Sequence, residues 1–176
     1  SPVVIRGNDT ANQAALDSLL KTAWEPEYQQ WHDDISKPDD QRTFTDTYLQ
    51  DRAKMLSYII QANQQNILPS TDGSLAVTSY ELGKSEAWQL SDLATHKQLS
   101  VTVNNGSYQN EYDNGQLRDH FSITFGSQSD DTLNGSTGVD HLYGGVGNDV
   151  IYGNASNDYL EGNVGNDELH GGDNDD

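Results

Sequence analysis

The chain has 176 residues, with 28 Asp and Glu against 9 Lys and Arg, a formal net charge of −19 and a pI near 4.2. That balance argues against nucleic acid and anionic membrane surfaces as partners, since both attract basic residues, and the lack of cysteine excludes disulfide frameworks, thiol nucleophiles and Cys-held zinc or iron–sulfur sites. No apolar run approaches the ~18 residues of a transmembrane helix, and at 33% hydrophobic residues the core is thin enough that something besides apolar burial is expected to help hold the fold.

Residues 1–125 read as an α+β region. Val3-Val4-Ile5 suits an edge strand, and Asn8-Asp9-Thr10 caps a helix over about 10–24 carrying Ala14, Ala15, Leu16, Leu19, Leu20, Ala23 and Trp24. Pro26 and Pro38 break the polar stretch that follows. Thr45 or Asp46 caps a second helix over about 46–64, with Leu49, Ala53, Leu56 and Ile60 on one face and Tyr48, Arg52, Met55 and Ile59 beside it. From about 74 to 125 the period shortens to that of strands: Leu75–Tyr80, Leu99–Val103 and Phe121–Phe125, with Asp72-Gly73, Asn105-Gly106 and Asn114-Gly115 as turns. Trp24, Trp31 and Trp88 are expected to pack rather than to bind. His32 lies beside Asp33 and Asp34, but adjacent residues face different ways and do not make a dyad. There is no nucleophile elbow, no H-E-x-x-H and no phosphate loop, so no catalytic residue is assigned and the isolated chain is expected to lack hydrolase activity.

The composition changes at Phe125-Gly126, beyond which lie eleven acids and no Lys or Arg. Read in nines, the tail is GSQSDDTLN, GSTGVDHLY, GGVGNDVIY, GNASNDYLE, GNVGNDELH and a shortened GGDNDD. The first position is Gly throughout, the sixth is Asp (131, 140, 149, 158, 167, 176), and the eighth is aliphatic (Leu133, Leu142, Ile151, Leu160, Leu169). A disordered Gly/Asp linker would not carry an aliphatic every ninth residue.

The spacing has a physical reading. The eighth position and its flanks form a short strand with one inward side chain, and the Gly, Asn, Ser and Asp before it supply positive-φ corners of a tight turn. Two such units complete one coil of a flattened parallel β-helix, so that repeats n and n+2 stack and their aspartates face each other. Facing carboxylates repel; a divalent cation between them removes the repulsion, and an all-oxygen ligand set favours Ca²⁺.

These registers resemble the GGxGxDxUx nonapeptide of repeat-in-toxin (RTX, haemolysin-type) proteins, a Ca²⁺-binding β-helix repeat. The resemblance implies a parallel β-roll over 126–176, its open N-terminal end capped by the α+β region, and up to four calcium ions. It implies ligand sets of Ser127, Ser129 and Asp131 with Gly144, Val146 and Asp149; Ser136, Gly138 and Asp140 with Gly153, Ala155 and Asp158; Gly145, Gly147 and Asp149 with Gly162, Val164 and Asp167; and Asn154, Ser156 and Asp158 with Gly171, Asp173 and Asp176. Apart from the Asp carboxylates the ligands are backbone carbonyls. Gly145 and Gly147 accept unusual backbone angles, so the third site is expected to be the best formed, and Ser127 and Ser129 make the first the least.

RTX resemblance further implies a secreted or cell-surface bacterial protein, exported by a type I system whose signal is C-terminal. Because the last repeat stops short at Asp176, this chain is expected to be an excerpt of a larger polypeptide. Calcium would then act as switch and staple: the acidic tail stays extended where calcium is scarce and folds at extracellular concentrations. Two other readings stay open. Residues such as Asp51–Leu56 and Asp92–Thr95 resemble the region preceding the repeats in RTX lipases, which would make this the non-catalytic part of a hydrolase. The alternative is an adhesin module with an extracellular ligand.

Overall fold

Thr45 opens the described helix: extended at φ −74°, ψ 160°, its Oγ1 accepts the Tyr48 N–H, as an N-cap does. Helix α1 then runs Asp46–Gln64. In this computed structural model the described residues are 44–104, 119–174 and 176, with 33, 37, 38, 41, 112, 113, 116 and 117. The expected strand at Val3–Ile5, the helix over 10–24, Trp24, Trp31, His32 and the Asn105-Gly106 and Asn114-Gly115 turns lie outside them.

The buried face of α1 is Tyr48, Asp51, Arg52, Met55, Ile59 and Ala62, whereas Ala53 is exposed. Of the two neighbouring stripes legible in the sequence, the one of Tyr48, Arg52, Met55 and Ile59 turns inward, and Asp51, in neither stripe, is buried with it. Both charged residues find polar partners in the sheet there, Arg52 pairing with Asp92 and Asp51 Oδ2 lying within hydrogen-bond distance of His141 Nδ1 and Tyr143 Oη.

The strands are β1 Leu75–Tyr80, β2 Glu86–Asp92, β3 Lys97–Asn104, β4 Tyr112–Asp113, β5 Gln116–Leu117, β6 Asp119–Phe125, β7 Thr132–Asn134, β8 Val139–Val146, β9 Val150–Ala155, β10 Tyr159–Val164 and β11 Glu168–Asp173. They form a six-stranded sheet in the order β1-β3-β2-β6-β8-β10, a three-stranded sheet β11-β9-β7 and the β4-β5 pair. β2, unforeseen in the sequence, alternates inward Trp88, Leu90 and Asp92; the acid hides the pattern, and it is buried because it pairs with Arg52.

From β6 onward, strands of the two larger sheets alternate along the chain and every pairing is parallel with an 18-residue offset: Ile123↔His141, Leu142↔Leu160, Leu133↔Ile151, Ile151↔Leu169. The ladder therefore runs through Gly126 without a break. The N-terminal strands do not form a separate layer over the end of the repeats: β2 pairs with β6 and prolongs the same sheet. What sits at the end of the inner row of Leu133, Leu142 and Ile151 is Leu93, whose N–H donates to Phe125 O at 2.9 Å. At the opposite end Leu169 is 44% exposed.

Helix α1 lies across the outer face of the large sheet. Tyr48 packs edge-on to Phe125 and Tyr143, which stack on each other at 5.2 Å. The Arg52 guanidinium sits 3.7 Å above the Phe125 ring and bridges to Asp92 at 2.8 Å, while Lys54 Nζ lies 3.4 Å from the Trp88 ring centroid. Trp88 thus packs in the core, stacked on Phe121 at 4.5 Å.

Candidate metal centres

Each turn between strands is built around its sixth-position aspartate. The Oδ1 of Asp149 accepts the Asp131 N–H at 2.8 Å and that of Asp167 accepts the Asp149 N–H at 3.0 Å. In the other row, Asp158 Oδ1 accepts from Asp140 N at 2.9 Å and Asp176 Oδ1 from Asp158 N at 2.8 Å. The four aspartate pairs expected from the spacing are thus each linked by one hydrogen bond from the backbone N–H of the earlier residue to the carboxylate of the later one. A second ladder, missed in the sequence, runs the other way at the fifth position: Asp130 Oδ1 accepts Asn148 N–H at 2.7 Å, and Asn148 Oδ1 accepts Asn166 N–H at 3.1 Å. The Asn148 and Asn166 in the N-D pairs of those repeats were its only signal.

The second carboxylate oxygen separates early turns from later ones. Asp131 Oδ2 accepts from Ser127 N at 2.6 Å and Ser127 Oγ at 2.8 Å, and Asp140 Oδ2 accepts from Ser136 N at 2.5 Å and Ser136 Oγ at 3.1 Å. Ser129 and Gly138 then donate their N–H groups to those serine hydroxyls. In the later turns, Asp149 Oδ2 and Asp158 Oδ2 are buried without a hydrogen-bond partner. Burial raises the pKa of both carboxyls; the amides of Asp131 and Asp140 pull down, and neighbouring aspartates push further up.

Backbone angles divide the turns at the same place. Second and fourth positions take positive φ from the third repeat on: Gly145 (99°), Gly147 (143°), Asn154 (79°), Ser156 (91°), Asn163 (69°), Gly165 (151°), Gly172 (111°) and Asn174 (90°). Ser127, Ser129, Ser136 and Gly138 do not, and their turns are closed by serine hydroxyls instead. Ser156 accepts the left-handed corner while its Oγ donates to Thr137 O at 3.0 Å.

First-position glycines have a different reason from the one the sequence suggested. Gly144, Gly153, Gly162 and Gly171 are not at positive φ. A Cβ on any of them would run into the folded-back carboxylate of Asp149, Asp158, Asp167 or Asp176 respectively. The third-position residues Val146, Ala155, Val164 and Asp173 each end a strand, in the registers Val164↔Val146 and Asp173↔Ala155. Among the described residues no group of three or more His, Cys, Asp or Glu side chains is placed to hold a metal ion.

Ser122 on β6 stands 18 residues before Asp140, where a repeat would have Asp, and its hydroxyl donates to Asp140 Oδ1. The coil that opens the ladder is thus closed by a hydroxyl.

The repeats thus form two parallel ladders with an 18-residue offset, and each turn between their strands carries a sixth-position aspartate. Residues 125–160 and 152–176 match the RTX calcium-binding nonapeptide repeat (4 copies). By this match residues 125–176 are similar to RTX calcium-binding nonapeptide repeats, over less than a third of the chain. Neither the curated proteins nor the solved structures searched contain a match to the chain.

Proposed function

We propose that the chain is a calcium-folded RTX module of a large bacterial protein exported by a type I system, with residues 126–176 closing as a parallel β-roll around up to four ions. The observation that carries this reading is the pair of buried, partnerless oxygens, Asp149 Oδ2 and Asp158 Oδ2, beneath glycines that leave room only for the carboxylate. Bound calcium supplies positive charge between facing turns. The chain does the rest: its aspartates are aimed by the 18-residue amide ladder, and from the third repeat on positive φ at the second and fourth positions re-aims the peptide groups of the turn. Gly145, Gly147 and Asp149 with Gly162, Val164 and Asp167 are assigned the best-formed site, because both corner residues are glycine in left-handed geometry. The turn of Ser127, Ser129 and Asp131 is assigned the weakest, its carboxylate already holding two donors.

The test is circular dichroism of the calcium-stripped chain during addition of millimolar CaCl₂, then of MgCl₂. β-signal should rise with calcium and not with magnesium, which demands tighter octahedral geometry and sheds water reluctantly. Identical spectra with and without calcium overturn the reading.

A further inference from the structure

The contacts of α1, taken along the helix, follow the strand order of the sheet beneath it. Thr45 Oγ1 donates to Glu161 Oε2 on β10 at 2.8 Å. Asp51 Oδ2 lies 2.6 Å from both His141 Nδ1 and Tyr143 Oη on β8. Arg52 covers Phe125 on β6 and pairs with Asp92 on β2, Lys54 covers Trp88 on β2, and Gln61 Nε2 donates to Thr78 O on β1 at 2.9 Å. The sheet order is β10-β8-β6-β2-β3-β1 in the same direction. Dimensions agree: 19 helical residues span about 28 Å, and six strands at their usual spacing cover about 24 Å.

Two of these contacts fall on residues that lead directly into aspartate turns. Tyr143 precedes the 144–149 turn and Glu161 precedes the 162–167 turn, the two turns linked by the 3.0 Å hydrogen bond from the Asp149 N–H to Asp167 Oδ1. Glu161 also accepts from Asn163 Nδ2 at 2.5 Å, holding the left-handed second position of its turn. The helix thus grips the sheet at neighbouring coils, just ahead of both halves of one facing pair, without contributing a ligand.

We propose that α1 is a transverse strut that sets the separation of these two turns before calcium arrives, with Thr45 and Asp51 as positioning residues that raise calcium affinity from outside the sites. This rests on the calcium reading above. Without the strut, the chain must order β8 and β10 against each other at the moment of binding, and that ordering weakens the apparent affinity. The coupling is reciprocal: calcium must tighten helix docking by the same factor.

The experiment uses the full chain as wild type, Tyr143→Phe, Asp51→Asn and Gln61→Ala, with calcium affinity from calorimetry and amide exchange over 46–64 with and without calcium. Tyr143→Phe keeps the rings packed and removes only one hydrogen bond to Asp51, so it remains informative should Asp51→Asn fold poorly. Tyr143→Phe and Asp51→Asn should weaken calcium binding by about tenfold, the size of one hydrogen bond to a buried carboxylate. Gln61→Ala, at the far edge of the sheet, should cost thermal stability while leaving calcium affinity at the wild-type value. Amides of α1 should exchange more slowly with calcium in the wild type, and the difference should shrink in Tyr143→Phe. Unchanged affinity in both Tyr143→Phe and Asp51→Asn, or an equal loss in Gln61→Ala, overturns the strut while leaving the calcium reading intact. A wild type that binds no calcium overturns both.

Discussion

Asp149→Asn should reverse sign with calcium. The substitution keeps an oxygen to accept the Asp131 N–H, which now lies 2.8 Å from Oδ1, and removes the charge from a side chain that is 1% exposed and surrounded by Asp130, Asp131 and Asp167. In calcium-free buffer that charge is a liability: burial raises its pKa and Oδ2 has no donor, so the neutral amide should raise the melting temperature. On the proposed site assignment the same charge faces a calcium ion on both sides of the turn, and removing one partner of a buried pair costs about 3–5 kcal/mol. At about 1.4 kcal/mol per tenfold, the calcium midpoint should move by two to three decades, at the lower end because the turn is at the surface. Asp131→Asn is the comparison. Its Oδ2 already accepts two donors from Ser127, so the loss there should be that of weakened hydrogen bonds, about 1 kcal/mol each. The assay is calorimetric calcium titration with melting temperature in EDTA and in calcium for both variants. A fall in melting temperature in EDTA for Asp149→Asn, or a calcium defect in Asp131→Asn as large as in Asp149→Asn, refutes the assignment of the partnerless oxygens to the metal.

Three further outcomes follow from the same geometry. Raised folded-state pKa values at Asp149 and Asp158 destabilise the ion-free fold above those values, and the penalty disappears as pH falls toward the unfolded value near 3.9. The calcium-free melting temperature should therefore rise as pH is lowered toward that unfolded value while the calcium-bound one falls; a decline in both contradicts the burial of these carboxyls. Gly144→Ala places a methyl against Asp149 Oδ2 at a residue that is not at positive φ, so it should cost about 1–3 kcal/mol in calcium by overpacking, whereas Gly73→Ala, with open space and φ +84°, should leave calcium affinity unchanged. Arg52→Ala strands Asp92 in the core with only the Ala94 and Thr95 amides as donors, and chemical denaturation should register a loss of about 3–5 kcal/mol.

The repeat was legible because its chemistry is local. A nine-residue register of Gly, Asp and aliphatic residues specifies a turn and a strand wherever it occurs, and the 18-residue stacking of Leu133 on Ile151 and Leu142 on Leu160 follows from two such units per coil. The Thr45 cap and the strand at Leu75–Tyr80 are local in the same sense. What the sequence could not reveal depends on partners distant in the chain. Asp51 looks like a solvated helix acid until His141 and Tyr143, 90 and 92 residues away, close around it. Asp92 masks β2 as a polar stretch until Arg52 neutralises it. Ser122 carries no repeat signature, yet parallel pairing places it opposite Asp140 and makes β6 the first coil of the ladder. First-position glycines could be counted but not explained from the sequence, because a Cβ there is excluded by the glycine carbonyl 18 residues on or by an aspartate folded back across its own turn. Local spacing thus determined the repeat and the chemistry it favours, while tertiary packing alone decided which carboxylate oxygens are left without donors, since that depends on where serine hydroxyls and the neighbouring coil come to rest.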